Sequence, residues 1–266
     1  PIYKVLVDSF DLSSAYGMRL WPKQFGLAGY ESVLSNPTLY RPLLISVGTT
    51  LAGTFLGLAL STLGAYVLIQ WDMPGRTFFA NFLLFTMIFN GGMIPTYLVM
   101  KNLGLTNNLL GVVLLPAINI YNLVLMRNFF EGIPESLFEA AQIDGASQFQ
   151  IFFKIVLPLG KPILIAMGLL SGLGYWNDWT NGLYYLSGNE GQKLYSIQNL
   201  LNQMITDIQY LASGKVTGNI GAEVAKLPTT SIRMAIAFIA MLPLFIIYPF
   251  LQKYFVKGVT LGATKG

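Results

Sequence analysis

The sequence predicts an all-α fold, a polytopic bundle of membrane-spanning helices. Three observations predict it. Only 11% of the 266 residues are charged, 54% are hydrophobic, and the mean hydropathy is +0.57. A soluble domain carries about a quarter of its residues as charged ones, so lipid must cover much of this chain. The apolar residues gather in windows of about twenty or more, the length a helix needs to cross a bilayer. Inside those windows small residues recur, at Gly53, Gly57, Gly64, Gly168, Gly172 and Gly174, as close helix packing requires where lipid gives no hydrophobic push.

Taken in order, the segment Pro1–Val7 is too short to cross a bilayer and has no basic leader or cleavage pattern. It reads as the outer end of a first helix that is largely missing from this chain, making six spans in the complete protein. A long polar connector, Asp8–Tyr40, follows. The complete spans are expected at about 41–70, 77–100, 107–126, 162–186 and 232–254. Between the first two lies a tight turn centred on Pro74-Gly75. Pro95, Pro116 and Pro243 fall inside spans, where each removes a backbone hydrogen bond and is expected to kink its helix. Residues 131–158 form an amphipathic connector and 187–231 a long polar, loop-rich one. The whole chain, 1–266, is one transmembrane domain.

Several function classes are excluded. With no Cys and no His, the chain has no thiolate chemistry, no Cys/His metal site and no His-based acid–base scheme. We expect no catalytic residue and no metal ligand. The net charge of +4 is modest and its basic residues are scattered, which does not point to nucleic acid. A phosphate-binding G-x-x-x-x-G-K-[ST] loop is lacking, since Gly160-Lys161-Pro162 and Gly214-Lys215-Val216 both fail the pattern. Ion-coupled secondary transporters carry intramembrane acids or bases, and here Asp178 is the main exception in spans otherwise nearly free of them. No selectivity constriction of a channel is evident.

The amphipathic connector is the most informative stretch. It reads as helix, turn, helix. Pro134 suits a first helical position, and Glu135 complements the helix dipole in the first turn. Leu137, Phe138, Ala141 and Ile143 give an apolar face. Gly145 permits a left-handed C-cap, Ser147 can cap the next helix, and Pro158 ends it. Each helix is too short to span, so the pair lies on the membrane face or docks into a partner groove.

Glu139-Ala140-Ala141, three residues, Gly145, nine residues, Ile155, one residue, Leu157 and then Pro158: this spacing resembles the EAA loop of ABC importer permeases. The stretches Asn90–Tyr97, Trp176–Trp179 and Tyr248–Gly258 extend the resemblance over nearly the whole chain. It is similar to carbohydrate permeases of the maltose-transporter type, in the branch linked to complex oligosaccharides and polysaccharides. The resemblance implies a MetI-like ABC permease fold in a bacterial plasma (inner) membrane. It implies that 131–158 is a cytoplasmic coupling loop and 187–231 an extracytoplasmic one. Basic residues are balanced between the two sides, so the resemblance, not their count, sets the orientation.

The resemblance further implies a second homologous permease subunit, two ABC ATPase subunits that hold ATP and Mg, and an extracytoplasmic solute-binding protein. This chain itself would bind no cofactor, and the substrate would be an oligosaccharide. ATPase coupling falls on Glu135, Glu139, Ala140, Ala141, Asp144, Gly145, Ile155, Leu157 and Pro158. Glu139 would meet a basic residue of the ATPase, whereas on an ordinary helix it would be a solvated charge. Candidates for a substrate path are Asn90, Tyr97, Asn119, Asn122, Trp176, Asn177 and Trp179. For the aromatics an interfacial belt competes, and for the polar groups so does bonding between helices. An ABC permease for amino acids or peptides, and a secondary transporter, are the alternatives.

Overall fold

Helices fill the apolar windows, but they start and stop where backbone chemistry dictates. The computed structural model describes residues 2–13, 20–70, 72–212 and 229–263. Pro1, residues 14–19, Trp71, residues 213–228 of the predicted 187–231 connector and residues 264–266 lie outside them.

The Asp8–Tyr40 connector is more ordered than its polarity suggests. After α1 (Ile2–Ser9), an antiparallel bridge joins Asp11 to Phe25, and α2 spans Ala28–Ser35. Helix α3 runs Pro37–Ile69. Asn36 starts it, its Oδ1 accepting from the Thr38 N–H at 3.0 Å, and Pro37 sits where its missing N–H has no helical partner to lose. This helix and the Thr230–Pro249 stretch are each long and apolar enough to cross a membrane.

The 77–100 window is two helices rather than one. Helices α4 (Arg76–Ile88) and α5 (Met93–Asn102) meet at 118°. Pro95 is not the cause, for it occupies the first turn of α5, where N–H groups lack helical partners anyway. The break lies at Asn90-Gly91-Gly92: Gly92 takes a φ of +88°, and the Asn90 side chain accepts from its N–H at 2.8 Å. The 107–126 window is also divided, into α6 (Leu109–Leu114) and α7 (Ile120–Glu131), with Pro116 in the gap.

After α7 come α8 (Glu135–Ile143), α9 (Gln148–Ile151), a π-helical turn at Phe152–Val156 and α10 (Leu157–Leu159). Helix α11 spans Lys161–Asn177 and is bent by 79° from the Gln148–Leu159 segment. That bend sits at Gly160, between Pro158 and Pro162, whose rings remove two amide donors. The 162–186 window ends as a helix at Asn177, followed by α12 (Thr180–Tyr185).

The 187–231 connector contains α13 (Gly188–Gln192) and the sixteen-residue α14 (Ile197–Ala212). Helix α14 corrects the loop-rich expectation. Ile197, Leu200, Leu201 and Met204 recur at helical spacing, and Ile197 and Met204 are buried. The last helix, α15 (Thr230–Ala263), passes Pro243 without a break. A missing bond does not dissolve a helix that has no water to turn to in lipid.

Two compact units emerge. One comprises Pro1–Gly48, Thr106–Leu109 and Trp176–Tyr248; the other comprises Thr49–Leu105, Leu110–Tyr175 and Pro249–Gly266. The core of the first unit is Val33, Trp176, Ile197, Met204, Ala235, Ile236 and Ala240. In the second, Ala65, Tyr66, Leu68 and Ile69 of α3 pack on Leu123, Met126 and Phe130 of α7 and on Ile151, Phe152 and Val156.

Candidate functional site

The amphipathic connector folds as a hairpin of two short helices, each step of which has a local cause. Pro134 is extended (φ −56°, ψ 128°) and its carbonyl accepts from the Leu137 N–H at 3.1 Å. It therefore caps α8 one residue before the first helical position expected for it. At the other end Gly145 takes a φ of +77°. The Ala146 N–H donates to the Ala141 carbonyl at 2.9 Å and the Gly145 N–H to the Gln142 carbonyl at 3.0 Å. These two bonds form a Schellman motif, which satisfies carbonyls that would otherwise be orphaned at the helix end. Two residues on, Ser147 Oγ accepts from the Gln150 N–H at 3.3 Å while Gln150 Oε1 accepts from the Ser147 N–H at 2.8 Å. This reciprocal capping box starts the second arm.

The two arms are buried to different degrees. Glu135, Glu139, Ala140, Asp144 and Gly145 are exposed, whereas Phe138 and Ala141 turn toward the core of their unit. On the second arm Ile151, Phe152 and Val156 are buried, Ile155 and Leu157 pack against them, and Pro158 is exposed. Tyr66 of α3 donates its hydroxyl to Gln148 Oε1 at 2.6 Å and stacks at a tilt on Phe152. The second arm is thus an anchor and the first a presented ridge. Among the described residues, none of the ion pairs involves Glu135, Glu139 or Asp144.

Ile143 departs from expectation, being 86% exposed. It lies five residues beyond Phe138, about 140° around the helix at 3.6 residues per turn, and so falls off the buried stripe. Sequence reasoning also missed exposed Phe149, the Tyr66–Gln148 link and the π-helical turn. No local pattern announces a π turn, since Phe152–Val156 has ordinary helix-forming spacing.

At the root of the hairpin, Glu131 Oε1 accepts from Arg76 Nη2 at 2.9 Å and from Arg127 Nη2 at 2.6 Å. Arg76 Nε also donates to the Leu68 carbonyl at 2.7 Å.

The substrate-path candidates are distributed between the two units. Asn90, Tyr97, Asn119 and Asn122 belong to one, and Trp176, Asn177 and Trp179 to the other. Asn90 is exposed at the α4–α5 break, and Tyr97 is half-buried on α5. Asn119 caps α7, accepting from the Asn122 N–H at 3.2 Å. Asn122 is buried and donates to Ser171 Oγ at 3.0 Å, a bond between helices. Trp176 is buried too, its indole N–H donating to the Ala240 carbonyl at 2.9 Å. Its ring packs among α2, α14 and α15 residues and is not an open platform. Asn177 and Trp179 are exposed.

The family described as the binding-protein-dependent transport system inner membrane component matches residues 77–261, which include the entire hairpin. The chain belongs to this family. The permease is accordingly a multi-pass inner-membrane protein, and a component of an ABC transport system that works with a binding protein. It is 40% identical to the polygalacturonan/rhamnogalacturonan transport system permease protein YtcP of Bacillus subtilis, over 93% of this chain and 84% of that protein. Protein LplC of the same organism is 37% identical over 100% of this chain and 89% of its own length. Among solved structures, a bacterial ABC transporter involved in the import of the acidic polysaccharide alginate superposes with a TM-score of 0.81 at 32% identity. That match covers 96% of this chain and 90% of the other. The permease therefore has the MetI-like helical fold that the EAA spacing implied.

Proposed function

We propose that this permease carries oligosaccharides inward and that its 131–158 hairpin couples the movement to ATP hydrolysis in partner subunits. The observation that carries this is the hairpin itself. Its second arm is built into the core, and its first arm holds out three carboxylates, at Glu135, Glu139 and Asp144, that take part in none of the ion pairs among the described residues. A ridge so arranged suits a basic groove on another protein.

In this reading two ATPase subunits hold ATP and Mg on the cytoplasmic side and this chain binds no cofactor. Their closure displaces the Glu135–Pro158 segment. A second, homologous permease encloses the path together with this one, and the pair rocks as near-rigid bodies to change the side on which the cavity opens. An extracytoplasmic binding protein delivers the solute. The oligosaccharide assignment is supported by relatives named for polygalacturonan, rhamnogalacturonan and arabinooligosaccharides and by the alginate importer.

The test is uptake into vesicles holding the assembled transporter, with ATP inside and a panel of uronic-acid and neutral oligosaccharides, amino acids and peptides outside. ATP-dependent accumulation of one class of oligosaccharide is expected. Accumulation of an amino acid or peptide instead would overturn the substrate class. Glu139→Ala is expected to keep basal ATP hydrolysis and lose most of the solute-stimulated part.

A further inference from the structure

We propose that Glu131 is a positioning residue, the joint that ties the root of the coupling hairpin to the α3–α4 turn so that motion of α8 reaches both helices. The proposal rests on the coupling role given to the hairpin above.

Three helix ends are joined through the Glu131–Arg76 pair. Glu131 is the last residue of α7, and Arg76 the first of α4. Their side chains pair at 2.9 Å. The same Arg76 guanidinium donates from Nε to the carbonyl of Leu68, one of the last four carbonyls of α3, which have no partner within the helix. Arg127, one turn back on α7, donates to the same oxygen, Oε1, at 2.6 Å.

Local helix energetics do not explain these charges. An acid at a helix C-terminus and a base at a helix N-terminus both oppose the helix dipole, and that is where Glu131 and Arg76 stand. The Arg127–Glu131 pair has the base first and the acid four residues later, the weaker order for such pairs. Glu131 and Arg76 thus each stand at the unfavourable end of their own helix, and the bond between them offsets that by joining α7 to α4. The side chains of Arg76 and Arg127 are 19% and 25% exposed, so water competes for them only in part.

The connection is also short. Gly132, Ile133 and Pro134 alone separate Glu131 from Glu135, where α8 begins. Ile133 is buried, and the N–H groups of Gly132 and Ile133 donate to Phe129 and Phe130 at 3.1 Å each. A push on α8 thus has little slack to take up before it reaches Glu131. Without the two guanidinium contacts, Gly132 would be free to absorb it.

The absence of cysteine from the chain allows a direct test in the assembled, reconstituted transporter. Spin labels at Asp72→Cys, in the α3–α4 turn, and Ser136→Cys, on α8, report the separation of turn and hairpin. With Glu131 intact, that separation is expected to stay narrow and unchanged between the ATP-bound and nucleotide-free states. In Glu131→Gln it should broaden, and solute transported per ATP should fall about three- to fivefold, as loss of up to about 1 kcal/mol of pairing implies. Glu131→Asp should recover part of both, and Arg76→Gln should reproduce the defect from the other side. Unchanged separation and coupling in Glu131→Gln and Arg76→Gln, while Glu139→Ala uncouples, would overturn the joint alone. The joint also falls if both variants simply fail to assemble. Full coupling in Glu139→Ala would remove the hairpin's role and the joint with it.

Discussion

Gly145 shows how much one backbone angle controls. A φ of +77° is open to glycine and costly for residues with a Cβ. Gly145→Ala is expected to destabilise the turn between the two arms by about 1 kcal/mol, and Gly145→Asn by less. Isothermal titration of the purified ATPase against the variant permease should show weakened association, with the helical content of the bundle unchanged. Asp11 is a second such position, far from the hairpin in sequence. Hydrogen bonding from Ser13, then from the N–H groups of Lys23 and Gln24, holds its carboxyl well below the usual carboxylate range. A carboxyl lowered on folding stabilises the folded loop at pH values above its unfolded pKa, and that contribution is lost as the pH falls. The contribution should be complete at pH 7 and decline below about pH 4. Protection of the Lys23 and Gln24 amides, taken relative to the intrinsic exchange rate at each pH, should fall across that range, and Asp11→Asn should flatten the response.

Helix α14 and the broken α4–α5 pair mark what pattern reasoning could and could not reach. The apolar stripe of α14 was present in the sequence, but polar Asn199, Asn202 and Gln203 beside it gave the segment the look of a loop. The 118° break was harder to place, because proline is the stronger signal of a kink and Pro95 stood nearby. The break is made instead by Gly92 at positive φ and an Asn90 side chain bonded to its backbone, a geometry that composition does not announce. By contrast, the devices that start and stop α8 and start α9 were legible: Glu135 in the first turn, glycine past the helix end, serine at the next cap. Those are rules of a single turn of chain, whereas burial of Trp176 depends on three other elements arriving around it. Trp176→Phe removes the donor to the Ala240 carbonyl and should lower the thermal stability of the purified permease by about 1 kcal/mol. Transport selectivity should be unaltered, which distinguishes a packing role from a sugar platform.

The fold as a permease subunit divides its labour between an anchored core and a presented ridge. Composition alone placed the chain in lipid, and the EAA spacing alone placed it among importers. Neither could say which arm of the hairpin is left exposed, since that follows from Ile151, Phe152 and Val156 being packed against α3 and α7. Membrane helices gain little from excluding water, so this packing and its Tyr66–Gln148 bond carry the rigidity that a lever requires. The most direct measurement uses a single thiol at Gln142→Cys, exposed near the end of α8, in vesicles of known orientation. It should react with a membrane-impermeant maleimide from the cytoplasmic side only, and binding of the ATPase should block that reaction. Labelling from the outer side, or equal labelling with and without bound ATPase, would contradict the account.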